Sequence, residues 1–321
     1  MNVIQKTVDW FDGYQRQHKF IGFPLAVFKK YGEDQAGHKA ALLTYYAFLA
    51  LFPLLLVLTT VLKVLIRDNQ DLRSKIIEGA TNYFPVVGNE LQQNVHTLGS
   101  TGWILAVGIV LTLFGARGVA DALRDGINHI WQIPFSRRSG FPHSMLKSFA
   151  ILLVGGTGLI LAPVISGYAI SVGGHGWLMR SVALLITLAI LYLMFLSLVR
   201  IALPTKVTLR ELRPAAVIST VGLVILQIAG GYVLTHELRH FNTLYGTFAV
   251  VLGLLFWLYL QAQMFFYAIE TASVRALRLW PRAIDQQKLT PQDRRAFRLH
   301  AERGSFNRDT EVTVQFKDLL K

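Results

Sequence analysis

Cysteine is absent from this 321-residue chain, which excludes disulfide staples, thiolate nucleophiles and cysteine zinc sites together. Charge is scarce: 16% of residues are Asp, Glu, Lys or Arg against 53% hydrophobic, too apolar for an ordinary soluble domain. Acidic residues are scarcer still, 19 against 32 Lys plus Arg, and the net charge is +13. No cleavable leader is expected. Residues 1–10 read MNVIQKTVDW, with neither a basic-then-apolar opening nor a small-residue cleavage site. The first apolar run is therefore expected to act as an uncleaved insertion signal. No internal repeat is evident, so a transporter built from two matched halves is not supported.

What the chain does have is six long apolar runs, at about 41–66, 102–123, 146–170, 180–203, 214–235 and 246–271. At about 1.5 Å per helical residue, each can cross a hydrocarbon layer of roughly 30 Å. A backbone in lipid finds no water to bond, so each run must satisfy its own amides as a helix. The expected fold is all-α: a polytopic membrane protein with six transmembrane helices. Its expected organisation is a cytoplasmic arm over 1–40, a transmembrane domain over 41–271 and a basic, partly disordered tail over 272–321. Phe20, Ile21, Phe23, Leu25, Val27 and Phe28, followed by Lys29 and Lys30, predict a short interfacial helix in the arm, with Pro24 in its first turn. Between the first two runs, residues 67–101 predict two short amphipathic helices capping the external face.

The distribution of charge says more than its sum. With loops assigned alternately to two sides, one side carries 25 Lys and Arg and the other 5. Positive residues gather on the cytoplasmic side, so both termini are expected there, in a bacterial cytoplasmic membrane. Topology alone accounts for this bias, and nucleic acid is not an expected partner. Anionic lipid headgroups are, at about 1 kcal/mol per Lys or Arg near the surface. A homo-oligomer or a protein partner is left open.

Ionisable and polar groups at membrane depth are costly, so each is informative. Arg117 and Asp121 lie four apart on one face of the second run, Asp125 continues that face, and Arg124 reaches Asp121 from three residues away. Gly115, Ala116, Gly118 and Ala120 beside them leave room for a close neighbour. Tyr45 and Tyr46 stand in the first run, Gln261 and Glu270 in the sixth. Glu270 falls near Arg275, which suggests a terminal ion pair. Pro53 and Pro163 are candidate kinks. Tyr45, Tyr46, Arg117, Asp121, Gln261 and Glu270 are the candidate contacts of a polar groove for an ion or a headgroup. An interfacial ion-pair cluster is the plainer alternative.

One stretch is distinctive: Ala40-Ala41-Leu42-Leu43-Thr44-Tyr45-Tyr46-Ala47-Phe48-Leu49-Ala50-Leu51-Phe52-Pro53-Leu54. It is followed in order by Leu203-Pro204, Arg213-Pro214-Ala215, Tyr245-Gly246-Thr247-Phe248, Trp257-Leu258-Tyr259 and Glu270. Over about residues 20–280 this resembles the YihY/BrkB family of bacterial inner-membrane proteins. Ala50 stands where the family usually has serine, and Thr205 where asparagine often follows the proline. The resemblance implies six transmembrane helices and a cytoplasmic-membrane location, and brings no settled activity.

Family members have carried a ribonuclease BN label, which the residues do not support. The string His236-Glu237-Leu238-Arg239-His240 matches HExxH. It falls in a short external loop without a third ligand in sight, so no metal and no cofactor is expected. Three readings stand: a transporter or lipid-translocating protein, a membrane scaffold recruiting a partner at its basic face, and an enzyme. The missing motifs argue against the last.

Overall fold

The computed structural model describes residues 3–65, 102–172, 177–204, 207–236, 238–284 and 288–316. The predicted external helices within 67–101 lie outside the described residues. Among those described there is no strand. In chain order the helices are α1 (Val3–Gln17), α2 (Lys19–Glu33), α3 (Ala36–Leu65), α4 (Gly102–Ile130), α5 (His143–Val172), α6 (Trp177–Ala202), α7 (Leu209–His236), α8 (Leu238–Ala276) and α9 (Pro291–Arg303).

Four of them contain stretches long and apolar enough to cross a membrane: His143–Ala162, Ser181–Ala202, Leu209–Gly230 and Val251–Ala276. Less than half of each stretch is buried within the protein. The remainder presents residues such as Leu153, Leu185, Ile228 and Phe256 outward, all more than half exposed. A soluble protein would not leave such a belt of large apolar side chains in water. Helices α3 and α4 occupy the places of the first two predicted spans.

The helices follow one another around the bundle: α3 packs on α4, α4 on α5, α5 on α6, α6 on α7, α7 on α8 and α8 back on α3. Small residues allow the tightest of these contacts. Gly118 leaves no room for a Cβ against the Tyr46 ring, and a Cβ on Gly115 would press on the Ala50 backbone. The small-residue face read from the sequence is thus the α3–α4 contact. Helix α5 leans mainly on α6 and meets α4 less extensively. That looser fit opens a groove on the surface between α4 and α5.

Both ends of the chain gather at one end of the bundle, called here the basic end. Helix α2 buries Gly22, Ala26, Val27, Lys30 and Tyr31 and turns Phe20 and Phe28 outward. Apolar residues thus occupy its outer face as well. Pro24 sits within it, one turn from its start. The tail contributes α9, whose start is specified locally: Thr290 and Asp293 form a reciprocal capping box, and Pro291 occupies the first turn. Beyond α9, residues 311–316, including Val312, Val314 and Phe316, follow an irregular path.

Candidate functional site at the basic end

Three polar constructions occupy the basic end, and they differ in how deeply they are buried. The first is sealed. Lys30, in the last turn of α2, is 1% exposed and donates to Asp34 Oδ2 at 2.6 Å, Glu270 Oε2 at 2.8 Å and the Ile130 carbonyl at 2.7 Å. An ammonium has three donors, and all three are used. Asp34 Oδ1 accepts from Gln132 Nε2 at 2.6 Å and lies 3.4 Å from both Arg303 and His300. Two non-glycine residues adopt left-handed backbone to make this possible: Gln35 after α2 (φ 50°) and Gln132 after α4 (φ 55°). Such a conformation costs roughly 1–2 kcal/mol per residue and persists only where surrounding contacts hold it.

Burial pulls the Lys30 ammonium toward neutrality, but Glu270 and Asp34 outweigh it and hold its pKa above the ordinary value. Burial likewise pushes the Asp34 carboxyl up, and Lys30, with the nearby histidines, brings it below the usual carboxylate range. Two cations, Lys30 and Arg303, face two carboxylates, so the cluster is neutral as a whole. It joins α2, the end of α4, α8 and α9. Glu270 therefore pairs with Lys30, 240 residues away, and not with Arg275, which is exposed.

The second construction clamps the termini together. Arg282, fully buried, donates through Nε to Asp293 at 2.6 Å and through Nη2 to both oxygens of Glu33 at 2.8 Å. Lys29 donates to Asp293 at 3.0 Å and to the Ala283 carbonyl at 2.6 Å. From α1, Gln15 donates to the Arg282 carbonyl at 2.7 Å, while Asp12 accepts from the Ile284 amide at 2.9 Å. Burial raises the Asp293 carboxyl, but Thr290, Arg282 and two backbone amides outweigh it and hold it far below the usual range.

The third construction is open. Between α4 and α5, Val110, Phe114, Phe149 and Leu152 line an apolar groove of about 270 Å³, which ends toward the basic end at Arg117 and Ser148. Asp121 holds this end together, accepting from Ser148 at 2.6 Å and pairing with Arg124 at 3.2 Å and Arg117 at 3.6 Å. One turn on, Asp125 pairs away from the groove, with Arg138 at 2.5 Å and Lys39 at 2.7 Å. Burial raises the Asp125 carboxyl, and these two cations hold it below the usual range. Next to the groove is a second pocket of about 250 Å³, lined by Arg124, Asp125, Asn128, Arg137, Arg138 and Lys147 among others.

A model of the family described as virulence factor BrkB matches residues 27–293, most of the chain. The chain belongs to the virulence factor BrkB family. Among curated relatives it is 25% identical over 255 residues to a putative ribonuclease-like protein, YfkH, of Bacillus subtilis, covering 75% of this chain and 90% of that one. It is 26% identical over 281 residues to a UPF0761 membrane protein of Azotobacter vinelandii, covering 84% of this chain and 67% of the relative. A UPF0761 membrane protein of Psychrobacter is 21% identical over 280 residues, covering 84% and 50%. The chain thus spans half to two thirds of those two membrane proteins. No solved structure matches it.

In this BrkB-family chain the six residues singled out in the sequence fall into separate environments. Arg117 and Asp121 stand together at the end of the α4–α5 groove. Tyr46 packs into the α3–α4 contact against Gly118, and Tyr45, more than half exposed, meets its ring edge-on at 5.5 Å. Gln261 is half-buried on α8, with its Nε2 buried and unpartnered among the described residues. Glu270 is sealed beneath Lys30. Pro53 and Pro163 lie inside α3 and α5. Lys30, Asp34 and Gln132 were missed as a cluster. Only the i,i+4 spacing of Lys30 and Asp34 was available in the sequence to suggest part of it. Among the described residues no group of three or more His, Asp or Glu is placed to hold a metal ion.

Proposed function

We propose that this protein handles an anionic membrane lipid in the α4–α5 groove and moves it across the bilayer. The observation that carries this reading is the apolar groove ending at Arg117. Its walls match acyl chain, and the cation at its end matches a headgroup phosphate. Arg117 is more than half exposed, and Asp121 lies 3.6 Å from it, too long for a strong pair. A guanidinium held loosely at the rim of an apolar groove has donors to offer a phosphate. The reading takes α3 and α4 as spans beside the four membrane-competent helices, giving six. It also places both termini in the cytoplasm of a bacterial cell, where basic loops favour anionic leaflets.

The sealed cluster around Lys30 then has a structural part, fixing α2 and the tail against α8, and not the part of a lipid contact. A scaffold reading draws support from Arg295 and Arg298, exposed on α9 and available to an acidic partner. The ribonuclease-like description belongs to the Bacillus relative.

The test is reconstitution in liposomes with fluorescent phosphatidylglycerol and a quencher added outside. Wild-type protein should speed exchange between leaflets at least about tenfold over empty liposomes. Arg117→Ala should cut that gain several-fold with unchanged thermal stability, because Arg117 holds no buried contact. Equal exchange in the two proteins would sink the role given to Arg117, and no exchange by the wild type would sink lipid movement itself.

A further inference from the structure

The pocket beside the groove holds cationic donors that the protein leaves unmatched. Arg138 donates through Nε to the Ile133 carbonyl at 3.2 Å and through Nη1 to Asp125, stacks on the Phe135 ring at 4.1 Å, and keeps Nη2 buried without a partner among the described residues. Lys147 has a single long contact, 3.3 Å to the Leu203 carbonyl. Arg137 is exposed on the pocket wall. Arg124 is already engaged by Asp121 and the Ser144 carbonyl. Against these four cations the pocket wall sets one carboxylate, Asp125, which Lys39 shares from outside.

Such an excess calls for more than one negative charge. A phosphodiester carries one. A terminal phosphomonoester carries about −1.5 to −2 near neutral pH and presents three acceptor oxygens. Guanidinium and ammonium donors lining a pocket are natural partners of phosphate oxygens. Pocket and groove are neighbours along α5, Lys147 lining the one and Ser148 the other. At about 250 Å³ the pocket lies just below the usual ligand-site range, which begins near roughly 300 Å³, and so suits a headgroup with its tail outside.

We propose that the pocket lined by Arg137, Arg138 and Lys147 binds the terminal phosphomonoester of a membrane lipid whose acyl chain lies along the α4–α5 groove. The inference rests on the lipid reading above and narrows it to a headgroup class. Other anionic lipids would enter the groove but leave the pocket's donors partly unmatched.

The experiment uses the full chain in phosphatidylcholine nanodiscs, titrated calorimetrically with short-chain phosphatidic acid, short-chain phosphatidylglycerol and glycerol 3-phosphate. Phosphatidic acid should bind at least about tenfold more tightly than either of the others. Arg137→Gln and Lys147→Gln, neither of which removes a buried ion pair, should each erase most of that preference while leaving phosphatidylglycerol binding within about twofold. Equal affinities for the two lipids would overturn the phosphomonoester assignment and leave the general lipid reading standing. Binding of glycerol 3-phosphate as tight as phosphatidic acid would overturn the lipid source in favour of a soluble ligand. Binding of none of the three would overturn both the pocket and the groove. Full preference retained in both variants would overturn the residues named.

Discussion

Replacing Lys30 with methionine is expected to destabilise the folded protein by about 3–5 kcal/mol, because it strands Glu270 and Asp34 as buried carboxylates around a lost cation. The size follows from burial: Lys30 is 1% exposed and Glu270 wholly buried, so water cannot replace what the ammonium supplied. Adding Glu270→Gln to the methionine variant removes one stranded charge and should recover a large part of the loss. The strong non-additivity of that double-mutant cycle is the signature of direct coupling. Arg275→Ala, at the exposed position that sequence proximity suggested as Glu270's partner, should change stability by less than about 0.5 kcal/mol. Denaturation of these three variants and of Glu270→Gln alone, purified in detergent, measures all four. A Lys30→Met protein as stable as the wild type would show that the cluster is not held by this cation.

The second large effect concerns the clamp. Arg282→Ala leaves Asp293 buried and Glu33 without its two-oxygen contact, and is expected to cost about 3–5 kcal/mol in the structure that joins α9 to α1 and α2. The loss should be local. Hydrogen exchange should rise sharply over α9 and the capping segment at Thr290, while the interiors of α6 and α8 keep their protection. Acid acts in the same direction. Asp293 has its pKa depressed by folding, so its contribution is complete above the ordinary carboxylate pKa of about 3.9 and is lost as pH falls through its folded value. His129 adds an earlier phase. Burial and Arg303 push its pKa down to about 4, so between pH of about 6.5 and 4 the unfolded chain takes up a proton that the folded one refuses. Stability of the basic end should therefore decline from near neutral pH and fall further below pH 4. An Arg282→Ala protein with α9 still protected would mean that other contacts carry the clamp.

How much of this was legible in the sequence depends on the range of the interaction. Helical character was, because a backbone in lipid has no alternative to bonding itself and long apolar runs announce that need. The α3–α4 contact was half legible: Gly115 and Gly118 showed that something approaches closely, and the structure names Tyr46 and Ala50. The pairing of Arg117 and Asp121 followed from helix periodicity. What could not be read was which distant cation meets Glu270. Arg275 lies within reach along the chain, whereas Lys30 reaches Glu270 only because α2 folds back over the end of α8. The same limit hid the clamp. Asp12, Glu33, Arg282 and Asp293 look like solvated charges when read singly, and they become a network only when the two ends of the chain meet.

On the proposed reading, depth of burial separates structure from function at the basic end. Lys30 has every donor satisfied within the protein, and Arg282 holds two carboxylates, as groups that fasten helices together should. Around the α4–α5 groove two cations are held loosely: Arg117 is more than half exposed and meets Asp121 only at 3.6 Å, and Lys147 meets one carbonyl at 3.3 Å, as groups open to a ligand should. The charged seam of α4 and the carboxylate of α8, which looked alike in the sequence, therefore take different parts.

The measurement that tests this division most directly is photocrosslinking in native membranes. An anionic lipid carrying a photoreactive group near its phosphate would be activated, and the adducts on the intact protein mapped by mass spectrometry. Adducts are predicted to concentrate on Arg117, Arg137, Arg138 and the start of α5 around Lys147, with none on Lys30 or Glu270. Labels spread evenly over the lipid-facing helices, or gathered along α8, would contradict it.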